Sequence, residues 1–158
     1  MKFFLSILTL VATLTLAADV RSDTTVDDGD IARAISKWTG HPIDSDLMAW
    51  SRAIHGECDT NLECYDLASV SSDESNFVSW VLDYSCNDAE WRRLNQKDKV
   101  CDRGAAFGPF QIQDPGLKGA SPEIHAMRAL SILRSAPQMW TVWPHAHARA
   151  KAWLARHP

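Results

Sequence analysis

The chain lacks most of what would mark it for a membrane, a nucleic acid or a metal. Beyond about residue 18, no apolar run is long enough to span a bilayer. Lys and Arg total 16 against 20 Asp and Glu, a formal net charge of −4, so the broad basic footprint of a nucleic-acid binder is missing. No Cys-x-x-Cys pair occurs, nor Cys and His at zinc-finger spacing, so neither a metal nor any other cofactor is expected. Gly-x-Ser-x-Gly, His-Glu-x-x-His and the phosphate loop are absent too, which removes three common catalytic frameworks. Repeats and low-complexity tracts are also wanting.

The first 18 residues read as a secretory signal. Lys2 supplies the charged start, Phe3 to Leu16 the apolar run, and Thr15-Leu16-Ala17 the small residues of a cleavage site. Residues 19–29 are polar and acidic and read as a flexible linker, which leaves 30–158 as one domain. The protein is therefore expected outside the cytoplasm, secreted or periplasmic, free of the membrane once the signal is cut, and monomeric.

Four cysteines in an exported chain suggest two disulfides, for which three pairings exist. Cys58–Cys64 and Cys86–Cys101 are favoured because each closes a short local loop. The second loop, of about 15 residues, would contribute roughly 3 kcal/mol through chain entropy.

Apolar periodicity predicts mainly helical structure with at most a small β element. Ile31, Ala34, Ile35 and Trp38 mark one helix, stopped by Gly40-His41-Pro42. Leu47, Trp50, Ala53 and Ile54 mark a second that starts at Asp44 or Ser45 and ends at Gly56. Thr60 and Glu63 form a capping box for a third, which runs from about Asn61 with Cys64, Leu67, Ala68 and Ser71 on one face and Glu74 at its far end. A polar stretch, 85–103, holds a possible short helix at 88–94. Ser121-Pro122-Glu123 starts a further helix with Ile124, Met127, Leu130 and Leu133 inward, and Pro144 opens the last, with Ala146, Ala150, Trp153 and Leu154 inward. Each of the seven tryptophans is read first as core.

Two segments carry chemistry. One is Asp73-Glu74-Ser75-Asn76-Phe77; the other is Gly104 to Gln113, with Gly108-Pro109-Phe110-Gln111 at its centre. Glu-Ser-x-Phe followed by Gly-x-Phe-Gln resembles the lytic transglycosylases and goose-type lysozymes. The resemblance implies a lysozyme-like single domain that cleaves peptidoglycan glycan strands at the β-1,4 bond between N-acetylmuramic acid and N-acetylglucosamine. It implies Glu74 as the catalytic acid, and Gly108 and Gln111 as lining of the sugar cleft. Phe77, Val78 and Trp80 would give Glu74 an apolar pocket, which favours the protonated form. The chain departs from the family in a longer stretch between glutamate and glycine, in Phe110 where Met is common, and in lacking a Tyr-Asn-x-Gly motif.

Plainer readings stand beside these. Glu57, next to Cys58, is the rival acid, and Asp114 is the one serious candidate for a second carboxylate. Asp73 reads as a solvated charge, as do His145 and His147, which lie two apart and face different ways on a helix. The alternative to an enzyme is a non-catalytic glycan-binding wall module. The cysteine pattern makes a direct prediction: the mature protein has no free thiol, and a non-reduced tryptic map shows Cys58 linked to Cys64 and Cys86 to Cys101. Two reactive thiols, or crossed pairs, would refute it.

Overall fold

A computed structural model describes residues 25–77 and 106–157. Val78, Trp80, the expected helix at 88–94 and the Cys86–Cys101 bridge lie outside the described residues. The rest forms a mainly helical single domain of five α-helices: α1 (Asp28–Thr39), α2 (Ser45–Glu57), α3 (Asn61–Ser75), α4 (Pro122–Ser135) and α5 (Trp143–Leu154). Short 3-10 turns occupy Pro115–Leu117 and Pro137–Met139. The β content of the described residues is one isolated antiparallel bridge, Phe107 to Ile112. No helix among them is long and apolar enough to cross a membrane.

The chain is ordered earlier than the expected domain start. Asp27 and Asp30 cap α1 reciprocally, side chain to backbone in both directions. Val26 is buried, and the Asn61 side chain accepts from the backbone N–H of Thr25 and Val26 at 2.9 and 3.3 Å. Residues 25–29 thus belong to the domain and not to the linker. An acidic run scores as unstructured, but two of its carboxylates satisfy backbone donors that a helix start leaves open. At the other end of α1, Gly40 takes the left-handed conformation expected of a stop (φ 76°).

Helix α3 is the centre of the bundle and packs on the other four helices. Every residue from Cys64 to Ser72 is buried, so it is enclosed all round and shows no single apolar face. Its serines explain how a polar sequence survives there. Ser71, Ser72 and Ser75 each donate to a carbonyl one turn back, at 2.7–2.9 Å, which satisfies the hydroxyls inside the helix. Their small volume lets neighbouring helices approach. Thr60 accepts from the Glu63 N–H as expected (3.2 Å), but the Glu63 carboxylate reaches past Thr60 to the Asp59 N–H (2.9 Å) and to Arg134 of α4. The Arg134 guanidinium holds the Glu63 carboxyl below its usual range. Cys58 and Cys64 are bonded, tying the end of α2 to the first turn of α3.

Helix α4 is rotated from its expected setting. It buries His125, Ala126, Ala129, Leu130, Ile132 and Leu133, while Ile124 and Met127 face solvent at 45% and 53% exposure. Small Ala126 and Ala129 admit α2 closely, and the His125 ring meets Trp50 edge to face at 5.5 Å. Ser121 makes no side-chain cap; it hydrogen-bonds the Glu123 carboxylate and lowers its pKa. Among the tryptophans, Trp50 and Trp140 are buried and Trp38, Trp143 and Trp153 pack partly buried against the core.

A polar seam joins α3 to α5. Asp73 bonds Arg149 at 2.8 Å and His145 at 3.0 Å, and the buried Asp66 accepts from His147 Nδ1 at 2.9 Å. Asp73 is therefore paired rather than solvated, and His147 is held across helices by the buried Asp66, while His145 reaches Asp73 from a solvated position, at 73% exposure. Burial pushes the Asp66 carboxyl up to about 6, against the opposing hydrogen bond from His147. An unfolded aspartate titrates near ~3.9. Between those values the folded state holds a proton that the unfolded state lacks, so this group's contribution to stability falls as pH rises. The wild-type advantage in melting temperature over Asp66→Asn is accordingly largest near pH 4 and shrinks toward pH 6. Thermal melts of both proteins across that range check it; a constant or growing advantage would overturn it.

Candidate active site

Glu74 sits in the last turn of α3, half-buried between two anchored neighbours. On one side is Asp73, held by Arg149 and His145. On the other is buried Ser75, whose hydroxyl donates to Ser71 O at 2.8 Å and accepts from the Phe77 N–H at 3.1 Å. The chain then reverses through two consecutive left-handed residues that are not glycine, Asn76 (φ 51°) and Phe77 (φ 52°). Asparagine tolerates that conformation; phenylalanine adopts it at a cost. What holds it is burial: Phe77 is 1% exposed, with its ring 6.4 Å from that of His41.

The second motif is a tight turn. Phe107 and Ile112 exchange backbone hydrogen bonds at 3.1 and 3.4 Å, and Gln111 N donates to Gly108 O at 3.2 Å. Pro109 and Phe110 are buried within it. Gly108 is left-handed (φ 66°), and a Cβ there would lie 2.5 Å from His125 Nδ1. The absent side chain thus serves packing against α4. Gln111 is also left-handed (φ 48°), and its Nε2 donates to Gly108 O at 2.8 Å. The amide nitrogen is committed to the turn, while the carbonyl oxygen makes no hydrogen bond among the described residues and is the end that can accept from a ligand.

One segment orders both motifs. Trp140 Nε1 donates to Phe110 O at 3.1 Å, and His145, five residues later, bonds Asp73 at 3.0 Å. The end of α3 and the Gly108–Gln111 turn are therefore tied to the same end of the bundle. Asp114, the candidate for a second carboxylate, accepts from Gly116 N at 2.9 Å, caps the 3-10 turn and lies 3.5 Å from Arg128. Glu57 lies elsewhere, at the end of α2 beside the disulfide. No group of three metal-ligating side chains occurs among the described residues.

Sequence reasoning missed Arg149, Trp140 and His125. Arg149 had a signal: Asp66, Ser69 and Asp73 form a polar line at helical spacing on α3, and something had to answer it. His125, fully buried and bonded to the Leu117 backbone, has its pKa lowered by burial, and had none.

No protein-family model, curated protein or solved structure matches the chain. What it does must be read from its own residues.

Gly108→Ala tests the turn. The added methyl meets the His125 ring in a left-handed backbone, and the expected destabilisation is about 1–3 kcal/mol. Combining it with His125→Ala should cost less than the two single changes together, because the collision is gone. Denaturant melts of the four proteins measure this, and strict additivity would contradict the assigned contact.

Proposed function

We propose that the protein is a secreted or periplasmic enzyme that cleaves peptidoglycan glycan strands at the β-1,4 bond between N-acetylmuramic acid and N-acetylglucosamine, with Glu74 as acid and then base. One observation carries the reading. The non-glycine residues with positive φ among those described are Asn76, Phe77 and Gln111, and all lie in the two motifs. Such backbone costs of order 1–3 kcal/mol per residue and gathers at sites where geometry serves function. An ordinary helix end accounts for Asn76, which caps α3 in the left-handed conformation; Phe77 and Gln111 are the residues for which that conformation costs. Two further points support Glu74. Its neighbours fix its aim. Its place at the carbonyl end of a helix, in a last turn without a basic residue, disfavours a negative charge.

The chemistry needs no second carboxylate. Glu74 gives its proton to the glycosidic oxygen as that bond breaks. The carbonyl oxygen of the muramyl 2-acetamido group bonds to the anomeric carbon, an assistance known among the exceptions to the two-carboxylate rule. The Glu74 carboxylate then takes the proton of the 6-hydroxyl as that oxygen displaces the acetamido group. The products are a 1,6-anhydro-muramyl end and a free N-acetylglucosamine end, with no water consumed. Asp114 favours this route, since its oxygens already serve Gly116 and Arg128.

Mass analysis of peptidoglycan digests is the test. Anhydro-muropeptides are expected, one water lighter than hydrolytic products. Glu74→Gln should lower cleavage by about 10²–10⁴ with folding and glycan binding retained. Glu57→Gln should cost far less, and Asp114→Asn should keep the anhydro product. Activity in Glu74→Gln with loss in Glu57→Gln would move the acid to α2. Glycan binding without turnover in the wild type would make the chain a binding module.

A further inference from the structure

Away from that end of the bundle, α2 and α4 enclose an open groove of about 520 Å³, lined by Glu57, Asp59, Met127, Leu130, Arg134 and Ser135 among others. The volume lies within the range of small-ligand sites, roughly 300–1,000 Å³. Three independent features describe what would fit it.

The first is charge. Arg134, a cation in the lining, is taken up by Asp59 and by Glu63, whose oxygens it meets at 2.8 and 2.9 Å. Glu57, half-buried, makes no hydrogen bond or ion pair among the described residues. Two carboxylates thus take up the one guanidinium, and with Glu57 in the lining the rim keeps a net negative charge. The second feature is apolar surface. Met127 is 53% exposed and Ile124, one turn earlier on the same face of α4, is 45% exposed, while Leu130 is buried in the groove floor. Exposed apolar side chains grouped on one face mark an interaction site more often than scattered ones do. The third is rigidity. The Cys58–Cys64 bond lies between Glu57 and Asp59 in sequence and fixes the rim on which both stand.

We propose that this groove binds a peptide through a lysine-like side chain: an amino group on a flexible alkyl stem. The ammonium pairs with Glu57, and the methylene stem lies on Met127 and Leu130. An anion would meet the net negative rim, and a purely apolar group would leave the Glu57 charge to be desolvated without compensation. The inference does not depend on Glu74 or on glycan cleavage.

The test uses the mature chain with isotope-labelled methionine methyls, the Met127 signal being assigned by its loss in Met127→Leu. The probes are Nα-acetyl-lysine methylamide and its norleucine counterpart, which has the stem without the charge. The lysine probe should shift the Met127 methyl saturably and bind about tenfold tighter than the norleucine probe, the size expected for one exposed charged hydrogen bond. Glu57→Gln should bring the lysine probe down to the norleucine level and leave norleucine unchanged. Equal binding of the two probes to the wild type, an unchanged lysine affinity in Glu57→Gln, or no shift of Met127 with either probe would overturn the proposal.

Discussion

Arg149 is held on all sides at once. Its Nε donates to Ser69 Oγ at 2.8 Å, one terminal nitrogen to Ser69 O at 2.7 Å and the other to Asp73 at 2.8 Å, and its plane lies 4.7 Å over the Trp38 ring. It therefore contacts α1 and α3 while belonging to α5. A guanidinium suits this because its donors form a fixed fork and its flat face is weakly hydrated; a lysine there would offer a compact, strongly hydrated charge without the planar fork. The pair with Asp73 is largely out of water. Breaking such a pair from one side costs about 3–5 kcal/mol, because the remaining charge has no water to turn to. The Cys58–Cys64 bond is local, six residues apart, whereas Arg149 reaches 80 residues back to Ser69. The seam joins α1 and α3 to α5.

The strained turns have restraints of their own. A phenylalanine or glutamine with positive φ relaxes unless its surroundings forbid it. For Phe77 the restraint is burial beneath His41 together with the N–H held by Ser75. For Gln111 it is the side-chain bond to Gly108 and the clasp of Trp140 on Phe110. Trp140 lies just before α5 and His145 in its first turn, so the contacts to Phe110 and to Asp73 come from neighbouring positions in the chain. Position in this end of the molecule is thus over-determined by contacts that involve neither Glu74 nor a ligand, which is the requirement for a carboxylate with a fixed aim.

The amino-acid pattern disclosed the helices where local chemistry acts alone. Gly40, Thr60, Pro122 and Pro144 mark helix ends by rules that need no neighbours, and the Cys58–Cys64 link follows from a short loop. The pattern failed where tertiary contacts decide. Helix α3 offers no stripe because it is enclosed, and its serines look like surface until their hydroxyls are seen to bond within the helix. Helix α4 turns its alanines inward and leaves Ile124 and Met127 outside, since closeness to α2 outweighs their size. Gly108 reads from the sequence as part of a turn lining a cleft, and the packing reason for a glycine is not legible there, because the His125 ring comes from a helix that starts 14 residues later in the chain. Asp73, His145 and His147 carry no signal of pairing in their own segments, because each answers a charge more than 70 residues away.

The described residues on either side of the stretch between the two motifs are fixed in the core. Phe77 and Phe107, near the ends of the two described stretches, have buried rings, at 1% and 5% exposure. Each end is therefore anchored in the core before the connection begins. Closing a loop costs entropy that rises only with the logarithm of its length, about 0.6 kcal/mol for each doubling. One anchored aromatic exceeds that, since burying such a side chain contributes roughly 1.5–3 kcal/mol. The spacing between Glu74 and Gly108 is thus a weak constraint on the fold, and what brings the two motifs to one end of the bundle is the pair of contacts from Trp140 and His145.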